Sequence, residues 1–285
     1  MNQRYAPIQD CPIFDLEPLG GTYYKVSADG KPAILLGKGA VVKGKVPVPN
    51  PYGIYHTHIR SRFARAQIEI RMLHEELSRR FLYSGSVAET VSVLIHNMGR
   101  HLVLFREGAL AVAVADYLQI TRQRSTTPHA AVCPEAQSNG VHMFLSIGNQ
   151  RLQIVEEKLP LFTLSPTRRV PYIDPLAEES SSYTEIVEFE EFRVRLGDSF
   201  VVNSREYLQI PHGEVALLHS ITDEFVHSSA LLIYPGSEGY QAFEFVANRP
   251  TTVTAGMEVM MLSLYQCPAA NGSGGRYARQ NSLSI

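Results

Sequence analysis

A series of turns and short apolar segments occurs twice, in the same order, along the sequence. In the first half a Gly turn and an apolar run (36–42) precede a Pro-Gly corner (46–53), and 196–202 precede 208–213 in the second half in the same way. Further on, each half has a turn, an apolar run, an asparagine, a second turn and a run that ends at a tyrosine. Because these correspondences keep one order, they indicate an internal duplication.

Strands dominate the predicted secondary structure. Short runs rich in Val, Ile, Leu and Tyr recur between Gly, Pro and Asn residues, as expected for strands and turns. These runs lie at 33–36, 91–95, 110–117, 200–202, 215–218, 231–233 and 259–265. Many short strands are typical of a β-sandwich, jelly roll or barrel. Residues 63–81 keep close to a 3.6-residue period and predict a helix, although Ile68, Ile70 and Met72 also fit the alternation of a strand.

The length of the chain agrees with two domains. It has 285 residues, of which 45% are hydrophobic, and this is enough for two ordinary cores. The polar stretch 126–140 contains Pro, Ser, Asn and Gly and is the natural linker. We therefore expect an N-terminal domain at 1–125 and a C-terminal domain at 141–285.

Charge and cysteine content narrow the class of protein. A net charge of −2 excludes a generally basic nucleic-acid-binding protein, although a local cationic pocket for phosphate remains compatible with it. Cys11, Cys133 and Cys267 lie far apart without C-x-x-C spacing, which predicts reduced thiols in a cytoplasmic protein. No apolar run approaches the roughly 20 residues of a membrane span.

Three segments carry motifs that occur together in one family. Residues 59–65 are IRSRFAR, 229–248 are SALLIYPGSEGYQAFEFVAN, and 276–280 are RYARQ. In this order they resemble the G-R-S-S-x-x-R motif, the hairpin with D-P-G-x-x-G followed by Glu and Asn, and the K-Y-x-x-Q tail of the dCTP deaminase family, in its tandem-domain form. The resemblance implies a mainly β chain of two tandem dUTPase-like β-barrel or jelly-roll domains with few short helices.

The resemblance also implies roles for individual residues. Glu244 occupies the position of the family's catalytic glutamate. Arg60 and Arg65 would bind phosphate oxygens, and Ser61 would bind phosphate or orient the attacking water. Further substrate contacts would come from the hairpin and the tail, at Ser229, Ala230, Tyr234, Arg276 and Gln280.

The implied reaction is the hydrolytic deamination of a deoxycytidine nucleotide, dCTP to dUTP. One positioned glutamate can transfer all the protons that this reaction requires. Zinc-dependent deaminases combine an H-x-E segment with a P-C-x-x-C segment, and this sequence has no such pair. We therefore expect no zinc and no protein-bound metal, with Mg²⁺ carried in on the phosphates. The alternative for Glu244 is a solvated strand face, and the alternative for the arginines near Arg60 is a solvated basic surface.

Neither half contains a complete set of family residues. The second half has Leu218, His219 and Ser220 where the arginine motif belongs and Tyr234 in place of an Asp, and the first half has Leu94 in place of the glutamate. Because the family assembles each site between neighbouring subunits, one domain could supply Arg60, Ser61 and Arg65 and the other Glu244. The resemblance further implies a deoxynucleoside triphosphate as partner and a homo-oligomer, a trimer or another form. The net charge and the lengths of the apolar runs predict that the protein binds neither nucleic acid nor membrane.

Two other functions remain open. The loss of family residues fits a catalytically inactive dUTPase-fold protein that binds nucleotides or has a regulatory or structural role. A dUTP diphosphatase is less favoured, since the hairpin residues 231–234 offer no acidic side chain to activate water.

Overall fold

The protein is built mainly from β-strands, as the short apolar runs predict. The computed structural model describes residues 8–47, 54–73, 81–83, 90–177, 180–227, 232–267 and 279–280. Each predicted run lies in or overlaps a strand, and the helices are short. The mainly β fold class is therefore confirmed. None of the helices described here has the length and apolar character that a transmembrane helix needs.

The first part of the chain, up to residue 116, contributes strands and one short helix, α1 (Ser61–Arg65). The strands are β1 (Ile8–Cys11), β2 (Phe14–Gly20), β3 (Tyr23–Ala28), β4 (Lys31–Leu36), β5 (Val41–Pro47), β6 (Ile54–Ile59), β7 (Ile68–Leu73), β8 (Phe81–Tyr83), β9 (Thr90–Asn97), β10 (Leu102–Arg106) and β11 (Val112–Asp116).

The remainder begins with the short helices α2 (Tyr117–Ile120) and α3 (His129–Val132), and it contains 3₁₀ turns at Glu156–Lys158 and Ser180–Tyr183. Its strands are β12 (Gln137–Ser138), β13 (Met143–Ile154), β14 (Leu161–Ser165), β15 (Arg168–Ile173), β16 (Thr184–Glu188), β17 (Glu191–Val194), β18 (Ser199–Gln209), β19 (Glu214–Ser220), β20 (Phe225–His227), β21 (Leu232–Ile233), β22 (Glu238–Ala247), β23 (Thr251–Thr254), β24 (Glu258–Gln266) and β25 (Arg279–Gln280).

The chain divides into two compact units. Unit A comprises residues 9–114 and 153–185, and unit B comprises residues 1–8, 115–152 and 186–284. This division differs from the predicted boundaries, because 153–185 belong with the first half of the chain rather than with the second. The reason is strand pairing: β15 adds to β10 in parallel, with Leu102 opposite Tyr172.

Unit A packs its core between small sheets. The strand orders are β2-β5-β9-β7, β14-β15-β10-β4-β3 and β1-β11-β6-β8. Alternation sets the buried face of each strand: Val42 and Val46 in β5, and Val93 and Ile95 in β9, point into one core. Tyr183, from the 153–185 segment, is 2% exposed and belongs to the same core.

The helix predicted at 63–81 is wrong. The helix α1 ends at Arg65, and Gln67 then takes a left-handed conformation with φ of 64°, which ends the helical path. The chain continues as β7, which pairs with β9 from Ile68 opposite Asn97 to Leu73 opposite Ser92. The strand alternation of these residues therefore prevails over their approximate helical period, because pairing with β9 satisfies the backbone and buries Ile68 and Ile70.

Unit B is organised around one long sheet. Its strand order is β20-β22-β18-β13-β24-β19-β21, and β12, β16 and β25 pair with its members. One face of the sheet carries a phenylalanine cluster in which Phe200, Phe225 and Phe245 have ring centroids 5.2–5.5 Å apart. These rings belong to a core that also includes Phe243.

Residues 126–140, expected to form a linker, are packed into unit B. Val132 and Cys133, around the end of α3, are buried in the core of this unit. Ahead of them, the Ser125 and Thr127 hydroxyls each donate a hydrogen bond of 2.7 Å to Glu214 Oε1. Polar composition alone did not separate a linker from a segment that is anchored through its hydroxyl groups.

Candidate active site

Glu244 lies in the middle of β22, on the sheet face opposite the phenylalanine core. Its neighbours Phe243 and Phe245 both point into that core, so alternation places the carboxylate on the other face. The residue is only 2% exposed. The alternative of a glutamate on a solvated strand face is therefore wrong for Glu244.

Cross-strand pairing identifies the other side chains on this face. In the antiparallel pair β18–β22, Val201 is opposite Glu244, and Asn203 is opposite Ala242. Directly opposed residues of an antiparallel pair share a face. Tyr240 follows the same alternation along β22, and its ring packs edge-on against Tyr207 at 5.3 Å between centroids.

Strand β18 is irregular where it passes Asn203. In the pairing of β13 with β18, the three residues 148–150 lie opposite the single residue Asn203. In the pairing of β18 with β22, the three residues 204–206 lie opposite the single residue Gln241. Bulges of this kind bend a strand and redirect its side chains, and they are frequent beside functional sites. The Asn203 side chain stabilises the first bulge, because Oδ1 accepts a 2.9 Å hydrogen bond from the Gln150 N–H.

The second bulge is filled by polar groups. The Ser204 hydroxyl accepts a 2.8 Å hydrogen bond from the Gln241 N–H and donates one of 2.7 Å to the Glu206 carbonyl. The Glu206 carboxylate accepts the Ser146 N–H at 2.8 Å. Burial raises the pKa of Glu206 above its ordinary value, while this hydrogen bond and the nearby charge of Arg205 oppose the increase.

A cleft of about 560 Å³ opens over these bulges. Its polar lining includes Asn149, Gln150, Asn203, Arg205 and Tyr240, together with backbone at Ile147, Gly148, Ala255 and Gly256. All of these residues belong to unit B. The cleft therefore lies within one unit, and Tyr240 in its lining belongs to β22, the strand that carries Glu244.

Gly148 is needed where β13 approaches Asn203. A methyl group at this position would lie 2.6 Å from Asn203 Cγ, which is closer than side-chain atoms approach one another. An isolated glycine within an apolar strand is a sequence sign of a bulge or a close approach. This signal could have located the cleft, which the motif comparison missed.

The arginine motif lies in unit A. Arg60 precedes α1 and forms an ion pair of 3.1 Å with Asp10. Arg65, at the end of α1, is 2% exposed, so the alternative of a solvated basic surface is wrong for this residue. Ser61 begins the helix, and its side chain lies outside the described part of the structure. Glu244 belongs to unit B, and a site shared by the two groups stays a prediction.

The remaining predicted residues lie in or near the hairpin and the tail. Tyr234 follows β21 and packs against an apolar cluster that includes Val215, Leu217 and Leu232. Backbone pairing places Gln280 of β25 beside Gly239, next to Tyr240. Ser229, Ala230 and Arg276 lie outside the described residues.

Comparison with solved structures identifies a protein of the same fold. The 2'-deoxycytidine 5'-triphosphate deaminase from Agrobacterium tumefaciens matches with a TM-score of 0.64 over 93% of this chain and 90% of that chain, at 12% sequence identity. The match therefore extends over both units, and it confirms the predicted dUTPase-like β fold. No protein-family model and no curated protein sequence matches the chain significantly.

Proposed function

We propose that this protein deaminates a deoxycytidine nucleotide by hydrolysis, converting dCTP to dUTP, with Glu244 as general base and acid and without zinc. One observation carries the proposal. Glu244, the residue aligned with the catalytic glutamate by motif, is a buried carboxylate on a non-core sheet face. It has this position in a chain that shares its fold with a dCTP deaminase.

The reaction requires a proton carrier beside C4 of the cytosine. Glu244 takes a proton from water, the water oxygen forms a bond to C4, and the carboxylic acid transfers the proton to N3. The proton of the new C4 hydroxyl then passes through Glu244 to the amino group. The C4–N bond breaks, ammonia leaves and C4 becomes the carbonyl of uracil. Each step uses the same carboxylate within hydrogen-bond reach, as expected for general acid–base catalysis.

Binding of the triphosphate is assigned to cationic and hydroxyl side chains. Arg60 and Arg65 hold phosphate oxygens, and Ser61 binds phosphate or the attacking water. The hairpin at Ser229, Ala230 and Tyr234 reads the base edge through its backbone. Arg276 and Gln280 close over the phosphates, with Mg²⁺ entering as part of the nucleotide.

The first experiment follows turnover. Purified protein is incubated with dCTP, dCMP or dUTP in the presence of Mg²⁺, and ammonia and nucleotide products are measured. We expect ammonia from a cytosine nucleotide, and we expect Glu244→Gln to lower the rate by at least about 100-fold. The control is Glu258→Gln, which changes an exposed glutamate at the start of β24 and should leave the rate unchanged.

The other outcomes separate the alternatives. Pyrophosphate released from dUTP without ammonia would show a diphosphatase. Nucleotide binding without turnover would show an inactive binding protein, and either result rejects the deaminase.

The composite site has its own test. Arg65→Ala and Glu244→Gln are assayed separately and then as a mixture of the two inactive proteins. Activity regained by mixing would place one site between separate chains. Normal turnover by Arg65→Ala would reject the composite site.

A further inference from the structure

We propose that the cleft over the bulges of unit B binds a nucleoside phosphate, with the phosphate on Arg205 and the base against Tyr240. The deamination chemistry assigns no role to these residues, so this binding site goes beyond the proposed function and does not depend on it.

Arg205 supplies the charge for an anion. It is an exposed residue of β18 that lines the cleft, and a methyl group on Gly256 would lie 4.0 Å from its Nη1. In the part of the chain that the structure describes, its guanidinium forms no hydrogen bond or ion pair. A guanidinium offers several donors in a planar arrangement that matches phosphate oxygens. The cleft therefore has one charged group that is available to a ligand.

Asn203 supplies a second polar contact. The residue is 7% exposed and lines the cleft. Its Oδ1 is occupied by the Gln150 N–H, whereas its Nδ2 donates to no acceptor among the described residues. Because Asn203 lines the cleft and this nitrogen is open to solvent, the donor is available to an acceptor on a ligand, such as the carbonyl oxygen of a base.

The size of the cleft and Tyr240 define the rest of the ligand. A volume of about 560 Å³ lies within the range of small-molecule pockets, roughly 300 to 1,000 Å³, and is far larger than an inorganic phosphate ion. Tyr240 is half-buried, and its edge-on contact with Tyr207 fixes its ring at the cleft. An aromatic ring and a guanidinium in the lining of one cleft suit a planar base joined to a phosphate. A nucleoside phosphate satisfies all three features.

The test measures the binding of dCMP, deoxycytidine and inorganic phosphate by isothermal titration calorimetry. All titrations use the Arg65→Ala variant of the full chain, so that binding at the predicted active site is weakened. We expect Arg205→Ala to weaken dCMP binding by about 10- to 100-fold and to leave deoxycytidine binding unchanged. We expect Tyr240→Leu to weaken both. The matched control is Arg193→Ala, which removes an exposed arginine of β17 outside the cleft and should change neither.

Three results would overturn the proposal. They are an unchanged dCMP affinity in Arg205→Ala, an equal loss in Arg193→Ala, and the absence of dCMP binding at millimolar concentration in the Arg65→Ala background. Because no turnover is measured, failure of the deaminase proposal is distinguishable from each of these: an inactive protein that binds dCMP through Arg205 supports the cleft alone.

Discussion

At the residue scale, buried polar side chains lie beside the cleft of unit B. Ser204 is fully buried and Glu206 is 5% exposed, yet their neighbours in β18, Asn203 and Arg205, line an open cleft. The Ser204 hydroxyl satisfies backbone groups that the bulge would otherwise leave without partners. Glu206 has the opposite effect, since its charge is costly in a buried position. Both side chains are part of the bulge in which Arg205 is exposed.

The raised pKa of Glu206 predicts a dependence of stability on pH. Since burial raises this pKa in the folded state, the unfolded chain loses the proton first as pH rises. The contribution of Glu206 to the free energy of unfolding is thus fully present when the pH is below the pKa of this residue in the unfolded chain. It is lost as the pH rises through the higher pKa of the folded state. We expect Glu206→Gln to match the wild type near pH 4 and to be more stable at pH 7.5, as measured by urea denaturation.

The control for this comparison is Glu258→Gln, an exposed site at which the difference from wild type should not grow with pH. A wild type that gains stability relative to Glu206→Gln between pH 4 and 7.5 would contradict the predicted direction.

At the element scale, an ion pair accompanies the strand pairing that adds residues 153–185 to unit A. Pairing of β10 with β15 covers only Leu102–Tyr172 and Val103–Ile173. Just beyond it, Arg106 Nη1 and Nη2 bind the two Asp174 oxygens at 2.5 and 2.6 Å. The hydrogen bonds to Asp174 raise the pKa of Arg106 further above its ordinary value. The bidentate ion pair therefore stabilises the end of the short parallel pairing of β10 with β15.

Removing one partner of this pair should be costly. The Asp174 side chain is 8% exposed and that of Arg106 is 16% exposed, so Asp174→Ala leaves a largely buried cation without its main partner. We expect a loss of about 3 kcal/mol in the free energy of unfolding, measured in urea. Asp29→Asn is the control, because Asp29 binds the same guanidinium at 3.2 Å with its own side chain 80% exposed, and Asn tolerates the left-handed φ of 52° at this position. It should cost less than about 1 kcal/mol, and equal losses would show that burial is not the cause.

At the scale of the whole molecule, each unit is assembled from separate parts of the sequence. Unit A needs 153–185 for Leu159, Ile173 and Tyr183, which belong to its core. Unit B needs 115–152 for Val132 and Met143, which belong to its own core. Division of the chain at residue 125 therefore leaves neither unit with its complete core.

A fragment of residues 1–125 should consequently unfold without a cooperative urea transition, because part of its core is missing. A chain in which 8–116 are joined to 153–185 through a flexible Gly/Ser linker contains the whole core of unit A, and we expect it to unfold cooperatively. Circular dichroism in urea distinguishes them. Cooperative unfolding of 1–125 alone would show that the predicted N-terminal boundary also defines a folding unit.

Local patterns were sufficient for the strands and for the placement of Glu244 on a non-core face. The alternation of Phe243, Glu244 and Phe245 is enough to define that face, because side-chain direction in a strand has a period of two residues. The approximate helical period of 63–81 failed, since pairing of β7 with β9 was not visible locally. Gln67, whose positive φ ends the helix, has no composition signal comparable to glycine.

The sequence by itself determined the class of fold and the strands, because both follow from the spacing of apolar residues and turns. Tertiary structure alone decided that 153–185 join unit A and that 126–140 pack into unit B, since both depend on pairings between residues distant along the chain. It also decided the cleft. Asn203, Arg205 and Tyr240 meet there because bulges in neighbouring strands redirect their side chains. The periodicity of a single strand does not predict that arrangement, because a bulge exists only in the register between a strand and the strand it pairs with.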